Sequence, residues 1–213
     1  MAAVIVLVVV LGIIVLLALM VLGIYNGLIR SRMRTREAWS GIDVQLKRRA
    51  DLVPNLVETV RGYASHERET FENVTNARAM LQQAGGPAEA AQANNQLTQA
   101  LRSLFAVAEA YPQLRASENF MALQKELADI EEKIAYARQF YNRNVTDFNT
   151  RIQVFPNVMI ANMFNFQPFE FFEAEEEARE VPHVSFTAPP AAQPPTAQPP
   201  AAEPPAPEPP TST

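Results

Sequence analysis

The stretch from Ser117 to Phe155, SENFMALQKELADIEEKIAYARQFYNRNVTDFNTRIQVF, decides the fold of this 213-residue chain. It contains neither glycine nor proline, and its apolar side chains recur at helical spacing, with one slip after Tyr141. This spacing predicts a single helix of about 58 Å at 1.5 Å per residue. A helix of that length can bury an apolar stripe only against other long helices, so the stretch predicts a helical bundle. The stripe consists of Phe120, Leu123, Leu127, Ile130, Ile134, Ala137, Tyr141 and Phe148.

Stop signals divide the preceding part of the chain into three more helices. Gly62 and Ser65 interrupt one apolar line, Ala84-Gly85-Gly86-Pro87 ends the next, and Tyr111-Pro112 ends the third. We therefore predict an all-α fold in which residues 30–156 form an antiparallel four-helix bundle with short loops. Pro54 lies within the first of these helices. The sequence leaves open whether Pro54 kinks that helix or lies in the first turn of a new helix capped by Asp51.

The amino terminus carries a long apolar run. Residues 1–29 contain no charged side chain, and Val4 to Leu22 is almost entirely Val, Ile, Leu, Ala and Met. About 20 such residues cross a bilayer, so residues 1–29 are predicted to be a retained transmembrane anchor. A cleaved signal peptide would need a basic start and a shorter apolar region. Basic residues follow the run at once, which predicts an external amino terminus and a cytoplasmic bundle in the cell membrane; they are Arg30, Arg32, Arg34 and Arg36.

Two further segments follow the bundle. Residues 157–180 are first rich in Phe and Met and then acidic. The Phe-rich part is expected to fold back over the bundle, with contact to the membrane interface or to a protein partner as alternatives. Residues 181–213 repeat a proline-rich unit and are predicted to be a disordered spacer rather than a ligand for an aromatic groove. The candidate partner surface consists of Phe164, Phe166, Phe169, Phe171 and Phe172.

Polar side chains on or beside the predicted core lines form what we call the polar seam. An unpaired buried charge costs several kcal/mol, so Glu131 and Arg138 each require a partner on a neighbouring helix. The favoured interpretation is a network of ion pairs and amides that fixes the register of the helices. The alternative is a binding or catalytic pocket inside the bundle. The seam consists of Arg49, Asp51, Glu67, Arg78, Glu131, Arg138, Asn142 and Asn149.

Several classes of protein are disfavoured by composition. The net charge of −5 gives no general attraction to nucleic acid, and the absence of cysteine excludes disulfides and thiolate metal sites. Only His66 and His183 are present, and no Glu-x-x-His pair, phosphate-binding loop or nucleophile elbow occurs. The best remaining enzymatic case is hydrolysis by Asp51, Glu67 and Glu131. The sequence therefore predicts a non-enzymatic protein with no catalytic residues, no cofactor and no metal.

A combination of motifs lies along the predicted bundle. It consists of Trp39, Arg49-Ala-Asp51-Leu-Val-Pro54-Asn55-Leu56, His66-Glu67, Ala77-Arg78, Glu109-Ala-Tyr111-Pro112-Gln-Leu114, Glu131, Arg138, Tyr141-Asn142, Asn149 and Phe155-Pro156. This combination resembles the bacterial LemA family. The resemblance extends from the membrane anchor to about Phe172 and implies an amino-terminal membrane helix followed by an antiparallel four-helix bundle. It provides no enzymatic activity to carry over, and this chain departs from the family only in its long proline-rich tail.

These observations favour a membrane-tethered bundle that acts as a scaffold or adaptor for envelope-associated proteins. The alternative is a sensor on the cytoplasmic face that binds a small ligand or peptide in the polar seam. The expected partners are the lipid bilayer, through residues 1–29, and other proteins whose identity the sequence does not give. Self-association into a homo-oligomer is left open.

Overall fold

The computed structural model describes residues 1–173, and within them all regular secondary structure is helical. The predicted all-α class is thereby confirmed. The acidic part of the predicted extension and the proline-rich tail over residues 181–213 lie outside the described residues. The helices are α1 (Ala2–Arg61), α2 (Arg68–Gln83), α3 (Pro87–Glu109), α4 (Pro112–Arg115), α5 (Glu118–Gln153) and α6 (Asn157–Met163).

The boundaries of the long helices follow the stop signals in the sequence. Ser117 is the N-cap of α5, and this helix ends at Gln153, two residues before Phe155. Gly62 is the C-cap of α1, and Pro87 occupies the first turn of α3, where its missing N–H costs nothing. The two short helices, α4 and α6, were not predicted, because neither is long enough to show an apolar period.

Helix α1 has two halves with opposite environments. Residues 1–20 are all exposed, although almost every one of them is apolar. From Leu28 onward the helix buries one stripe, in which Ile42, Leu46 and Val53 are almost fully covered. The helix contains 60 residues and continues from one half into the other without a break. It is long and apolar enough to cross a membrane.

The second half of α1 packs along α5 and also contacts α2, while α2 packs along α3. Two contacts show that α1 and α5 run in opposite directions. Thr35 Oγ1 donates a hydrogen bond to the Asn144 carbonyl at 3.3 Å, and further along α1 the Arg49 guanidinium meets the Glu131 carboxylate at 2.8 Å. The main core lies among these helices, and its largest fully buried members include Leu56, Leu97, Leu104, Ile130 and Tyr141.

A smaller apolar cluster covers the end of α5 and connects it to α1. Leu28 from α1 packs there with Phe148 and Ile152 from α5 and Ile160 from α6. Phe166, from the segment that follows α6, completes the cluster. The chain beyond Phe155 therefore turns back onto the packed part of the protein. We call this part, formed by the second half of α1 with α2, α3 and α5, the body.

Pro54 lies in the interior of α1, and the helix continues past it to Arg61. A new helix at this point is thus excluded. Proline has no N–H, so the carbonyl of Ala50, four residues earlier, loses its helical donor. The guanidinium of Arg78, on α2, supplies the missing donor, since its Nε lies 2.7 Å from the Ala50 carbonyl oxygen. Ala50 is buried, so water is not available to replace this bond.

We expect Arg78→Ala to lower the free energy of unfolding by about 1–3 kcal/mol, because it leaves a buried carbonyl without a donor. Denaturant unfolding measures this change, with Arg68→Ala, an exposed arginine on the same helix, as the control. Pro54→Ala restores an N–H that can donate to Ala50, so Arg78→Ala should cost less in that background. An equal loss in both backgrounds would show that Arg78 does not serve the proline-freed carbonyl.

Candidate functional site

Arg49 is the centre of the polar seam. Its side chain projects from the buried stripe of α1 and only 5% of the residue is exposed. Its Nη1 atom donates to Asn94 Oδ1 at 2.6 Å and lies 2.8 Å from Glu131 Oε2, and its Nη2 atom donates to Thr98 Oγ1 at 3.1 Å. Asn94 and Thr98 belong to α3 and Glu131 to α5, so one guanidinium connects three helices.

The electrostatics of Arg49 reflect this position. Burial lowers the pKa of its guanidinium, and the Glu131 carboxylate opposes that shift by raising the pKa. Glu131 is half exposed, so the pair extends from the core to the surface. The Nε atom of Arg49 and the Oε1 atom of Gln45, one turn earlier on α1, have no hydrogen-bond partner within residues 1–173. The Nε–H group of Arg49 is therefore a donor without a partner in that part of the chain.

The remaining charged residues of the predicted seam are dispersed. Arg78 is half buried and bonds to the Ala50 carbonyl, whereas Asp51 is exposed. Glu67 is half buried as the N-cap of α2. Within residues 1–173, Arg138 is half buried and forms no ion pair, so the expected partner charge for it is absent there. The three carboxylates of the enzymatic case, on Asp51, Glu67 and Glu131, form no metal-binding group in the described part of the chain.

The two asparagines of the seam form hydrogen bonds with the backbone of the segment that follows α6. Asn149 Nδ2 donates to the Phe169 carbonyl and Asn149 Oδ1 accepts from the Phe169 N–H, both at 2.9 Å. Asn142 makes the same pair of bonds with Phe172, both at 3.0 Å. Seven helical residues and three extended residues each cover about 10 Å, so the two spacings match. Residues 165–172, which we call the strap, run along α5 in this way.

Tyr141 adds a third link to the strap. Its hydroxyl donates to the Glu170 carbonyl at 2.8 Å, and the residue is fully buried. Burial, with a contribution from the negative charge of Glu170, raises the pKa of this phenol to about 12. Tyr141 therefore stays neutral and remains a donor throughout the physiological range. The indole of Trp39 lies 5.6 Å from the Tyr141 ring and 6.1 Å from the Phe172 ring, measured between centroids, so it contacts both α5 and the strap.

The five phenylalanines predicted as a partner surface do not share one environment. Phe166 and Phe172 are buried in the two apolar clusters, and Phe169 is half buried against both. The asparagine bonds hold the backbone of Phe169 and Phe172 against α5. Of the five predicted side chains, only Phe164 and Phe171 are exposed within residues 1–173.

Sequence reasoning missed the polar partners contributed by α3. Asn94 is buried, and it lies one turn before Thr98 on the face that meets Arg49. An asparagine and a threonine at this spacing beside a line of leucines were the available signal. Thr35 is another buried polar residue that was not predicted, and it bonds both to the Ser31 carbonyl in its own helix and to Asn144.

A shallow groove of about 340 Å³ opens beside the ion pair. Arg49 and Glu131 line it together with Arg102, Gln124 and Phe105. The groove offers two guanidinium groups, one carboxylate and an aromatic wall. That combination can hold a small anionic or amide-containing group through hydrogen bonds.

Removing the counter-charge of Arg49 should destabilise the body. We expect Glu131→Gln to lower the free energy of unfolding by roughly 1–3 kcal/mol, less than for a fully buried pair because Glu131 is half exposed. The loss in the double variant Arg49→Met with Glu131→Gln should be smaller than the sum of the losses in the two single variants, since no buried charge remains. Thermal or denaturant unfolding measures both single variants and the double variant, and additive losses would contradict an ion pair.

The strap should be released by single changes on α5. Asn149→Leu removes both bonds to Phe169, and faster amide hydrogen exchange at Phe169 is the expected result. Asn149→Asp keeps an acceptor for the amide but places a negative charge against the Phe169 carbonyl, so it should not restore protection. Asn119→Leu, at an exposed position of the same helix, is the control. Unchanged exchange in Asn149→Leu would mean that the asparagine does not hold the strap.

Comparison with known proteins gives consistent matches. Protein LemA from Metamycoplasma hominis is 27% identical over 158 residues, which cover 72% of this chain and 71% of that protein. Magnetosome protein MamQ from Magnetospirillum gryphiswaldense is 23% identical over 187 residues, covering 76% and 68%. Magnetosome protein MamQ 2 from Paramagnetospirillum magneticum is 24% identical with the same coverage.

The model of the LemA family matches residues 38–186. This range begins within α1, next to Trp39, and includes Arg49, Glu131, Asn142, Asn149 and the whole strap. The matched region is more than half of the chain, and the resemblance drawn from the sequence motifs is confirmed. The chain belongs to the LemA family.

Proposed function

We propose that this LemA-family protein is a non-enzymatic, membrane-tethered scaffold or adaptor for envelope-associated proteins. In this proposal α1, α2, α3 and α5 form an antiparallel four-helix bundle on the cytoplasmic side, and residues 1–29 anchor it in the cell membrane. The observation that carries the proposal is the continuity of α1, whose exposed apolar half and buried half belong to one helix of 60 residues.

The exposed half of α1 supports the membrane tether. Residues 1–20 are all exposed in the described part of the chain, and they are almost entirely apolar. About 20 apolar residues match the roughly 30 Å hydrocarbon core of a bilayer. Apolar surface of this extent is not maintained in water by a monomer. The arginines that follow, beginning with Arg30, support the orientation in which the body is cytoplasmic.

The polar contacts of the seam support a structural rather than a chemical role for the body. Arg49 connects three helices, Arg78 supplies the donor that Pro54 lacks, and Asn142 and Asn149 hold the strap. Each of these side chains is engaged in positioning helices or backbone. A body built in this way presents fixed surfaces at a fixed distance from the membrane, which suits a scaffold.

One observation favours a second candidate function. The groove beside Arg49 contains the guanidinium of Arg102 as well as that of Arg49, and Arg49 Nε has no partner within the described residues. A small ligand or peptide bound there would make the protein a sensor. A thermal-shift screen separates the two functions, because a groove ligand raises the melting temperature whereas a scaffold responds to protein partners.

The scaffold proposal predicts that partner binding in the cell depends on the membrane tether but not on the sequence of the anchor. In vivo crosslinking followed by mass spectrometry should recover a reduced partner set when the exposed residues 2–20 are deleted, because the effective concentration at the bilayer is lost. Replacing the same residues by an unrelated apolar helix with the same orientation should restore that set. A protein without any anchor that retained the partners and rescued a deletion strain would contradict the proposal.

A further inference from the structure

A neutral apolar corner lies where α5 meets α6. Residues 152–169 contain no Asp, Glu, Lys or Arg. Within them, Phe155, Met159 and Met163 are 80%, 60% and 73% exposed, and Phe164 is 49% exposed. We call these four side chains the membrane-side corner. Large exposed apolar side chains in an uncharged segment mark a site of contact with a protein partner, a ligand or a membrane.

The position of the corner beside α1 identifies that partner. Ile160 and Ala161 of α6 belong to the same apolar cluster as Leu28, and Val21 and Ile24 of α1 pack against that cluster. The Phe164 ring lies 4.7 Å from the Tyr25 ring, measured between centroids. The corner is therefore attached to the end of the exposed apolar run of α1, and the two apolar surfaces are continuous.

The depth of the corner follows from the rise of a helix, and this step rests on the proposed membrane-spanning role of α1. If residues 1–20 cross the hydrocarbon core, Val21 lies at its lower boundary and Tyr25 about 6 Å further, at the level of the lipid head groups. Tyrosine is commonly found at that level. Phe164 contacts Tyr25, so the corner occupies the same layer. Arg32, whose guanidinium lies 5.9 Å from the Phe166 ring centroid, is on the water side of it.

We propose that the membrane-side corner inserts into the boundary between head groups and acyl chains of the leaflet from which α1 emerges. The occupant of this surface is lipid, because the corner continues the lipid-facing surface of α1, carries no charge and lies at the interfacial level. One spanning helix fixes the height of the body but allows it to rotate and tilt. A second contact beside α1 fixes one side of the body against the bilayer.

The absence of cysteine makes a direct depth measurement possible in the full-length protein. Single substitutions Met159→Cys and Met163→Cys are labelled with an environment-sensitive fluorophore, and the protein is reconstituted in phosphatidylcholine–phosphatidylglycerol nanodiscs at one copy per disc. Lipids that carry a quencher high on the acyl chain report insertion, and iodide reports access from water. Met121→Cys, at an exposed methionine near the start of α5, is the matched control. Val10→Cys, probed with lipids that carry the quencher near the end of the acyl chain, reports whether α1 spans the bilayer.

We expect the labels at Met159 and Met163 to be quenched by the lipid several-fold more than the label at Met121, and to be protected from iodide. Equal access of iodide to Met159 and Met121 would overturn the proposal. Protection from iodide without lipid quenching would also overturn it, since the cover would then be protein. Loss of lipid quenching at Val10 would refute the spanning role of α1 itself, whereas quenching at Val10 but not at Met159 would refute only the corner.

Discussion

A proline inside a helix deprives the carbonyl four residues earlier of its donor, and in α1 that carbonyl belongs to the buried Ala50. The missing donor comes from another helix, because the Arg78 guanidinium of α2 donates to this carbonyl. The bond replaces the backbone bond that Pro54 cannot make, and α1 continues past Pro54 as one helix to Arg61. It also ties α2 to α1 near Arg49, whose guanidinium connects α1 to α3 and α5.

The same logic explains the strap. An extended segment has no internal hydrogen bonds, so its N–H and C=O groups need partners when it lies against a core. Asn142 and Asn149 provide a donor and an acceptor each, and their spacing on α5 equals the spacing of Phe172 and Phe169 on the strap. Once the backbone is satisfied, Phe166 and Phe172 are buried with little further cost. Within the polar seam, Arg49 thus positions helices, whereas Asn142 and Asn149 position the strap.

Patterns that depend on local chemistry were predictable from the sequence. The long helix α5, the ends set by Gly62 and Pro87, and the apolar half of α1 all follow from spacing or from turn residues. The outcome at Pro54 was not predictable, because it depends on a donor 24 positions away on another helix. The partners of Asn142 and Asn149 were missed for a similar reason, since an extended strap without periodicity gives no sign of where it lies.

Helix α1 is continuous through the arginine cluster and past Pro54. Electron paramagnetic resonance distances between spin labels at Leu19→Cys and Glu58→Cys, both exposed positions, test this continuity in the full-length protein in nanodiscs. A continuous helix predicts a single narrow distribution centred near about 58 Å, at 1.5 Å per residue. A broad distribution, or one centred at a much shorter distance, would show that the exposed apolar half and the buried half are joined by a break or a hinge.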